Sequence, residues 1–376
     1  MNNDSDISVC ALVPYPPGTT PSQRYRIEQW APLLKAQGIA VDLMPFVDEG
    51  LMRHLHKPGR HALKAAAGVS RFLRRFADIA ATARYDVVLI HRAASIGGPA
   101  LLERAVRLLG KPVIYDFDDA IFLLHTTEAN RRFGWLKFPS KTGAICRISS
   151  HVVTGNSYLA DYARRYNRRV TVIPSSVDTD SYRPVVKNGS NDRVVVGWMG
   201  SSTSQTHLEI FAPALGRLLA RRPVELRVVS DRQPVLPGVS FEWRPWSAAT
   251  EVEELSQFDI GIMPMPDDAW ARGKCSMKAL LYMSVGVATV CSAVGTNREV
   301  IRHGENGFLA SNDAEWIDHL EALIDDPSLR GRLGAAGRET IEQRYSMRRC
   351  AELFARVVRE TSSDFLVESG YQLDAQ

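Results

Sequence analysis

At 376 residues the chain is long enough for about two domains, each with its own core. Hydrophobic residues make up 45% and charged residues 23%, which excludes a disordered or fibrous chain. The net charge of +4 is modest, and no nucleic-acid partner is expected.

The opening "MNNDSDISV" is polar and acidic, with no basic segment leading into an apolar one, so no signal peptide is expected. Strand-like runs begin at "ISVCALVP" and recur as "YDVVLIHR", "KPVIYDFDD", "SHVVTGN" and "RVTVIPSS". Continuous apolar runs of this kind suit parallel strands covered on both faces. Between them, "RYRIEQWAPLLKAQG" and "GPALLERAVRLLG" have helical spacing and stop on a glycine. The five cysteines (Cys10, Cys146, Cys275, Cys291, Cys350) are scattered with no CxxC pair. That pattern points to small buried hydrophobes and a reducing cytoplasm.

Charge is unevenly distributed. Residues 51–84 carry Arg53, Lys57, Arg60, Lys64, Arg71, Arg74, Arg75 and Arg84 against the single acid Asp78. Leu63, Val69, Phe72, Leu73 and Phe76 interleave with them, as in amphipathic helices with basic faces. Further on, "RRFGWLKFPSK" sets Phe133, Trp135 and Phe138 among Arg131, Arg132, Lys137 and Lys141. Together these predict a resting place on an anionic membrane surface, at the cytoplasmic face. Solvated helix faces are the alternative.

The strand–helix alternation restarts after the polar stretch "RPVVKNGSNDR", residues 183–193, with "RVVVGWMG", "VELRVVSD", "FDIGIMPM", "VATVCS" and "NGFLAS". The predicted fold is α/β: a doubly wound parallel sheet occurring twice, with ligands at the C-terminal ends of the strands in a cleft. The uncharged run 279–297 is too broken by Ser284, Gly286, Thr289, Ser292 and Gly295 to be a membrane span. The tail from Ser346 reads as an arginine-rich helix to about Thr361.

No strand is followed by GxGxxG and no Walker loop exists, so neither a dinucleotide cofactor nor a P-loop is expected. "VVVGWMGSSTS" places Gly200, Ser201, Ser202, Thr203 and Ser204 before a helical stretch. These groups suit a phosphate or simple N-capping, and the hydroxyls alone favour capping. "ARGKCSMKALLYMSVG" sets Lys274 and Lys278 at the head of an apolar helix beginning near Ser276, one turn apart and on one side. Cations there oppose the helix dipole unless an anion lies between them. Two solvated lysines flanking a core helix are the bland alternative.

Here the residues carry a resemblance. "KCSMKALLYMSVGVATVCSAVGTNREVI", followed by "GENGFLA", resembles the donor segment of GT-B glycosyltransferases, in the retaining, family 4-like group typified by sucrose and mannosyl transferases. "VTVIPSSVDTDSYRP", "PSQRYRIEQWAPLL" and the C-terminal helix are similar to further parts of that pattern. The resemblance implies two Rossmann-like domains: residues 1–178 on the acceptor side, 179–345 on the donor side, and 346–376 a helix packing back toward the N-terminal domain, with a tail. It implies transfer of a sugar from a nucleotide-sugar donor to a glycan, lipid-linked or small-molecule acceptor, with retention and with no metal or other cofactor. A catalytically inactive scaffold and a nucleotide-sugar epimerase remain open as alternatives.

The implied catalytic residues are Lys274, Lys278, His91, Asp116, Asp118 and Asp119. The implied donor contacts are Gly18, Arg24, Gly200, Ser201, Ser202, Thr203, Asp231, Arg232, Gly273, Cys275, Ser276, Met277 and Glu299. His91 reads equally as a satisfied buried histidine and the aspartates as capping and salt-bridging groups; Arg24 and Arg26 read as cleft-facing groups that help with phosphate, Arg26 equally as a surface residue. Asp116 and Asp118 also match the DxD of metal-dependent transferases, a reading the fold argues against. Trp246 reads as core rather than as a base-flanking ring. The chain departs from the family pattern too. Gly273 and Leu281 stand where the family has two glutamates, Ala288 replaces a proline, and "GSSTSQTH" lacks the usual Arg and Lys.

Overall fold

The computed structural model describes residues 6–55, 61–124, 138–185 and 193–368. The chain forms two compact units. The first takes the residues up to Ser175 together with those from Met347 onward, and the second is Ser176–Ser346.

In the first unit six strands, β1 (Ile7–Val13), β2 (Ile39–Pro45), β3 (Val87–His91), β4 (Val113–Phe117), β5 (His151–Thr154) and β6 (Val170–Val172), form one sheet in the order β2-β1-β3-β4-β5-β6. Every pairing is parallel. The second unit repeats the plan with β7 (Val194–Met199), β8 (Val224–Ser230), β9 (Glu242–Pro245), β10 (Ile260–Met263), β11 (Ala288–Ser292) and β12 (Phe308–Ala310), in the order β12-β11-β10-β7-β8-β9. It too is wholly parallel. These are two Rossmann-like sheets with helices around them, as expected.

Two strands escaped the sequence reading, β2 and β9. Both lie at sheet edges, and both are only partly covered, so neither shows the continuous apolar run of a central strand. The stretch "RYRIEQWAPLLKAQG" is not one helix. A short turn Pro21–Gln23 runs into a π-helical turn, Arg24–Glu28, and a separate helix Ala31–Lys35 has Pro32 in its first turn. The C-terminal helix, Met347–Glu368, runs past Thr361. It lays Cys350, Phe354 and Val358 against Trp30, Leu89 and Ile114 in the first unit's core, with the Trp30 and Phe354 rings 5.5 Å apart. Cys10, Cys146, Cys291 and Cys350 are buried as expected, and Cys275 is half-buried. Burial pushes the Cys10 and Cys146 thiols up to about 12, which makes them inert at neutral pH. Among the described residues, no helix is long and apolar enough to cross a membrane.

The helix Pro327–Thr340 seats its backbone directly on the turn between the helix Met277–Ser284 and β11. A Cβ on Gly334 would lie 2.0 Å from the Gly286 carbonyl oxygen, which is backbone and has no rotamer by which to yield. Gly331, in the same helix, has nothing within 4 Å of such a Cβ. The two glycines therefore oppose each other in a stability test. Gly331→Ala is expected to stabilise by about 0.5–1 kcal/mol through the ordinary helix preference. Gly334→Ala is expected to destabilise by at least ~1–3 kcal/mol through overpacking. Urea unfolding of both variants checks this; equal effects would remove the close-approach argument.

Candidate functional site

In the first unit the functional side chains gather past the C-terminal ends of β1, β3 and β4. Asp116 lies in β4 directly beside His91 of β3 in the parallel register, and it is almost wholly buried. Its Oδ2 is 2.7 Å from His91 Nδ1, and its Oδ1 accepts from Arg26 Nη2 at 2.5 Å. Arg26 Nη1 also donates to the Ile173 carbonyl at 2.7 Å. Burial pushes the Asp116 carboxyl up, but the Arg26 guanidinium and the His91 ring more than offset it and bring it down to about 2. Of the two readings of Arg26, the surface one is overturned. It is completely buried, because a buried carboxylate in β4 requires a fixed cation beside it.

Ser22, which the sequence reading passed over, links this pair to the next carboxylate. Its Oγ is 2.9 Å from His91 Nε2 and donates to Asp118 Oδ1 at 2.6 Å. Asp119 is met by Arg92 Nη2 at 3.0 Å. Burial works against the Arg92 charge, yet Asp119 and Asp118 hold its pKa above the ordinary value. Arg92 also has a left-handed backbone (φ 61°), fixed by the Tyr115 hydroxyl donating to its carbonyl at 2.8 Å. Thus Asp116, Asp118 and Asp119 share a cluster with His91, each with its own side-chain partner.

Two donor contacts were expected in this unit, Gly18 and Arg24. The Gly18 amide donates to Glu28 Oε2 at 2.8 Å, which holds the loop after β1. Arg24 lays its guanidinium over the Tyr25 ring, 4.5 Å from the centroid, and also bonds the Tyr25 hydroxyl.

In the second unit the loops after β7, β8, β10 and β11 carry the remaining residues. The hydroxyls of the loop after β7 do not cap the following helix, Gln205–Leu219, contrary to expectation. Ser201 and Thr203 bond each other at 2.8 Å, and Ser204 donates to the Ser201 carbonyl at 2.9 Å. Asp231 is turned onto this loop, accepting the Ser202 amide at 2.5 Å and the Ser202 hydroxyl at 2.8 Å. Arg232 is exposed, and its carbonyl accepts from Gln205 and, at 2.7 Å, from the Ser230 hydroxyl. Asp231 therefore organises the loop through an amide that an anion would otherwise use.

Lys274 and Lys278 do not share a helix. Lys274 follows the short helix Ala269–Arg272 and precedes Ser276, whose left-handed backbone (φ 55°) turns the chain into the helix Met277–Ser284. Buried Ser276 donates its hydroxyl to Asn297 Oδ1 at 2.7 Å, and Thr296 donates to the Lys274 carbonyl at 2.6 Å. The segment containing Gly273, Lys274, Cys275, Ser276 and Met277 is thus clamped by the loop after β11. Exposed Glu299 sits in the first turn beyond that loop. Because the Ser276 hydroxyl is used sideways, no side chain caps the helix Met277–Ser284. Lys278 Nζ lies over the Trp198 ring, 5.3 Å from the centroid, and Lys274 Nζ over Trp270 at 4.9 Å. Desolvation, with the neighbouring Lys274 charge adding to it, lowers Lys278 to about 8.

Trp246 is not a core residue. It is 39% exposed just past the edge strand β9, and its indole Nε1 donates to Glu251 Oε2 at 2.6 Å. Ser22, Arg92, Trp198 and Asn297 are the site residues that sequence reasoning missed. The arginine in "HRAAS" was a visible signal, since it sits at a strand end beside "DFDD". Ser22 and Asn297 are short polar residues whose contacts span the chain, and no local pattern marks them.

Two family descriptions match the chain, Glycosyltransferase Family 4 over residues 25–181 and Glycosyl transferases group 1 over residues 193–326. A D-inositol 3-phosphate glycosyltransferase of Arthrobacter sp. (strain FB24) is 24% identical over 67% of this chain, and the chain spans 65% of that relative's length. Its counterpart in Pseudarthrobacter chlorophenolicus is 29% identical over 32% of this chain and 28% of its own length. Among solved structures, sucrose-phosphate synthase from Thermosynechococcus elongatus superimposes with a TM-score of 0.68 at 14% identity, covering 95% of this chain and 100% of that one. The Anabaena protein Alr3699/HepE, solved with UDP and glucose, gives 0.67 at 13% identity, covering 94% and 100%. With the two family matches lying in chain order on the two Rossmann-like units, the chain belongs to the glycosyltransferase family 4-like group of GT-B-fold proteins.

Proposed function

We propose that the protein transfers a sugar from a nucleotide-sugar donor to a glycan, lipid-linked or small-molecule acceptor, with retention at the transferred carbon and without a metal ion. The second unit takes the donor and the first unit the acceptor. The observation that carries this reading is Lys278. Its half-buried ammonium stands in the first turn of a helix that no side chain caps, beside a second lysine, and among the described residues it forms no ion pair. Two adjacent cations at the positive end of a helix repel each other, and a diphosphate between them removes the conflict. Binding of UDP by HepE makes UDP the first nucleotide to test.

Departure of a nucleoside diphosphate builds negative charge on its outer phosphate. Lysines and helix amides already fixed at that point stabilise the transition state without reorganising. Lys278→Ala and Lys274→Ala are each expected to lower kcat by on the order of 10²–10³, about 3–4 kcal/mol. Both should fold normally, since neither ammonium fills the core. Transfer rates within about threefold of the wild type, roughly 0.65 kcal/mol, would make the lysines surface groups and remove this site. The pH dependence has a definite sign. Lys278 is lowered to about 8 from an unfolded value of 10.5, so the unliganded protein gains stability as pH rises through that window. A diphosphate favours the ammonium, so UDP affinity should fall as pH rises through the same range.

The aspartate cluster is assigned to the acceptor without a divalent ion. Arg26, Ser22 and Arg92 already meet the three carboxylates, and the lysines supply the charge that a metal supplies elsewhere. Activity should persist in excess EDTA; its abolition, with rescue by Mn²⁺, would overturn this assignment.

The membrane reading is narrowed by the structure of the basic block. Arg75 is buried, donating to the Met44 and Val13 carbonyls at 2.8 and 3.1 Å, and Arg71 is paired with Asp48. Lys141 forms a buried pair with Glu103 at 2.9 Å. Lys57, Arg60 and residues 125–137, which hold Arg131, Arg132, Phe133, Trp135 and Lys137, lie outside the described residues. What presents itself is the outer face of the helix His61–Ala81, where Val69, Leu73 and Phe76 are 62%, 64% and 48% exposed around the exposed Arg74. An apolar stripe beside a cation fits an anionic bilayer surface. The wild type should float with anionic liposomes at low salt, and Leu73→Glu should abolish flotation. Equal partitioning to neutral and anionic vesicles would remove the idea.

A further inference from the structure

Lys278 reaches its position along the backbone at the end of β7. Its stem lies against the backbone of Gly200, at the end of β7, where an added Cβ would stand 2.6 Å from Lys278 Cε. The same Cβ would meet the Trp198 ring, 2.6 Å from Cη2 and 2.7 Å from Cζ2. Trp198 is fully buried in the second unit's core, so the ring offers one fixed face, and Lys278 Nζ rests over it. The Tyr282 hydroxyl, one turn beyond Lys278, accepts the Met199 amide at 2.9 Å and ties the strand end to the same helix. Lys274 is the charged neighbour that acts on Lys278, and it acts by repulsion.

We propose that Trp198 and Gly200 are positioning residues that together form a seat for the Lys278 ammonium. The indole face holds the charge in place of a carboxylate, and the missing side chain at position 200 leaves room for the lysine stem over the ring. The inference rests on the reading of Lys278 as a diphosphate ligand. It adds the reason that the cation survives there. An acid in the same place would neutralise the lysine and compete with the phosphate. An aromatic face attracts the cation without offering an acceptor that the phosphate must displace. A Cβ at 200 meets both the Lys278 stem and the Trp198 ring; the ring is fixed in the core and the stem is the far end of a flexible side chain, so it is the lysine that gives way.

Trace acetylation with acetic anhydride across pH 6–11, read out at Lys278 by mass spectrometry with and without inorganic pyrophosphate, tests both levels separately. In the wild type Lys278 should titrate near the lowered value of about 8, and pyrophosphate should protect it. Gly200→Ala should move the midpoint up by about one pH unit or more as the stem leaves the desolvated seat, and should abolish protection. Trp198→Phe, which keeps an aromatic face, should stay within about half a unit of wild type, whereas Trp198→Leu should lower the midpoint as the cation loses its ring. If Trp198→Leu does not fold, Gly200→Ala decides alone. An unchanged midpoint in Gly200→Ala overturns the seat even where pyrophosphate protects the wild type. Absence of protection in the wild type overturns the diphosphate reading, whatever the midpoints do.

Discussion

Parallel pairing throughout both sheets is the constraint from which the rest follows. A parallel strand needs a crossover to return, so every strand delivers its C-terminal end to the same edge of its sheet, and each following loop opens there. That is how Ser22, His91, Arg92, Asp116, Asp118 and Asp119, from loops and strand ends nearly one hundred positions apart, meet within hydrogen-bond distance. The same geometry sets Gly200, Asp231 and the segment before Met277 at one edge of the second sheet. Neither cluster needed a local sequence pattern to assemble it.

The two edges solve opposite electrostatic problems. On the first, Arg26 and Arg92 face Asp116, Asp118 and Asp119 with His91 between them, so each carboxylate meets a side-chain partner where it stands. Such a network is rigid. Removing one partner leaves a buried charge uncompensated, at a typical cost of about 3–5 kcal/mol. Its role is to hold donors and acceptors in fixed directions. On the second edge the lysines are supported by aromatic faces. The Lys278 charge is left for a ligand to complete. A compensated edge suits neutral hydroxyl groups, and a cationic edge suits phosphate.

Most of the fold was legible because central parallel strands are apolar on both faces, and ten of the twelve announced themselves as runs such as "YDVVLIHR" and "VATVCS". The edge strands β6 and β12 kept apolar runs, whereas β2 and β9 were not legible, since Asp42 in one and Glu242 and Arg244 in the other break the run. Arg26 was left between surface and cleft because a charged residue defaults to the surface. Its burial depends on Asp116, ninety positions away. Lys274 and Lys278 were noticed from spacing alone, although the shared helix behind that reasoning does not exist. Their proximity survives because Ser276 adopts a left-handed turn that Asn297 and Thr296 lock from another loop. The seat on Trp198 could not be read at all, since it depends on an absent side chain at Gly200.

The departures from the family pattern acquire a physical meaning in this setting. Where the family carries two glutamates, this chain has Gly273 and Leu281, and Leu281 is buried with 8% exposure. Without those two carboxylates, the Lys278 charge has no acid partner among the described residues. Unopposed cations bind a diphosphate in the ground state as well as in the transition state, and uniform binding by itself does not raise kcat. What restores a difference is how far the charge is desolvated. Lys278, held in a partly closed seat, gains more from the charge that develops on bond breaking than an exposed lysine does, because screening there is weaker. In the proposed reaction, recognition by carboxylates would be replaced by a cation whose strength depends on its burial, and the burial in turn on Trp198 and Gly200.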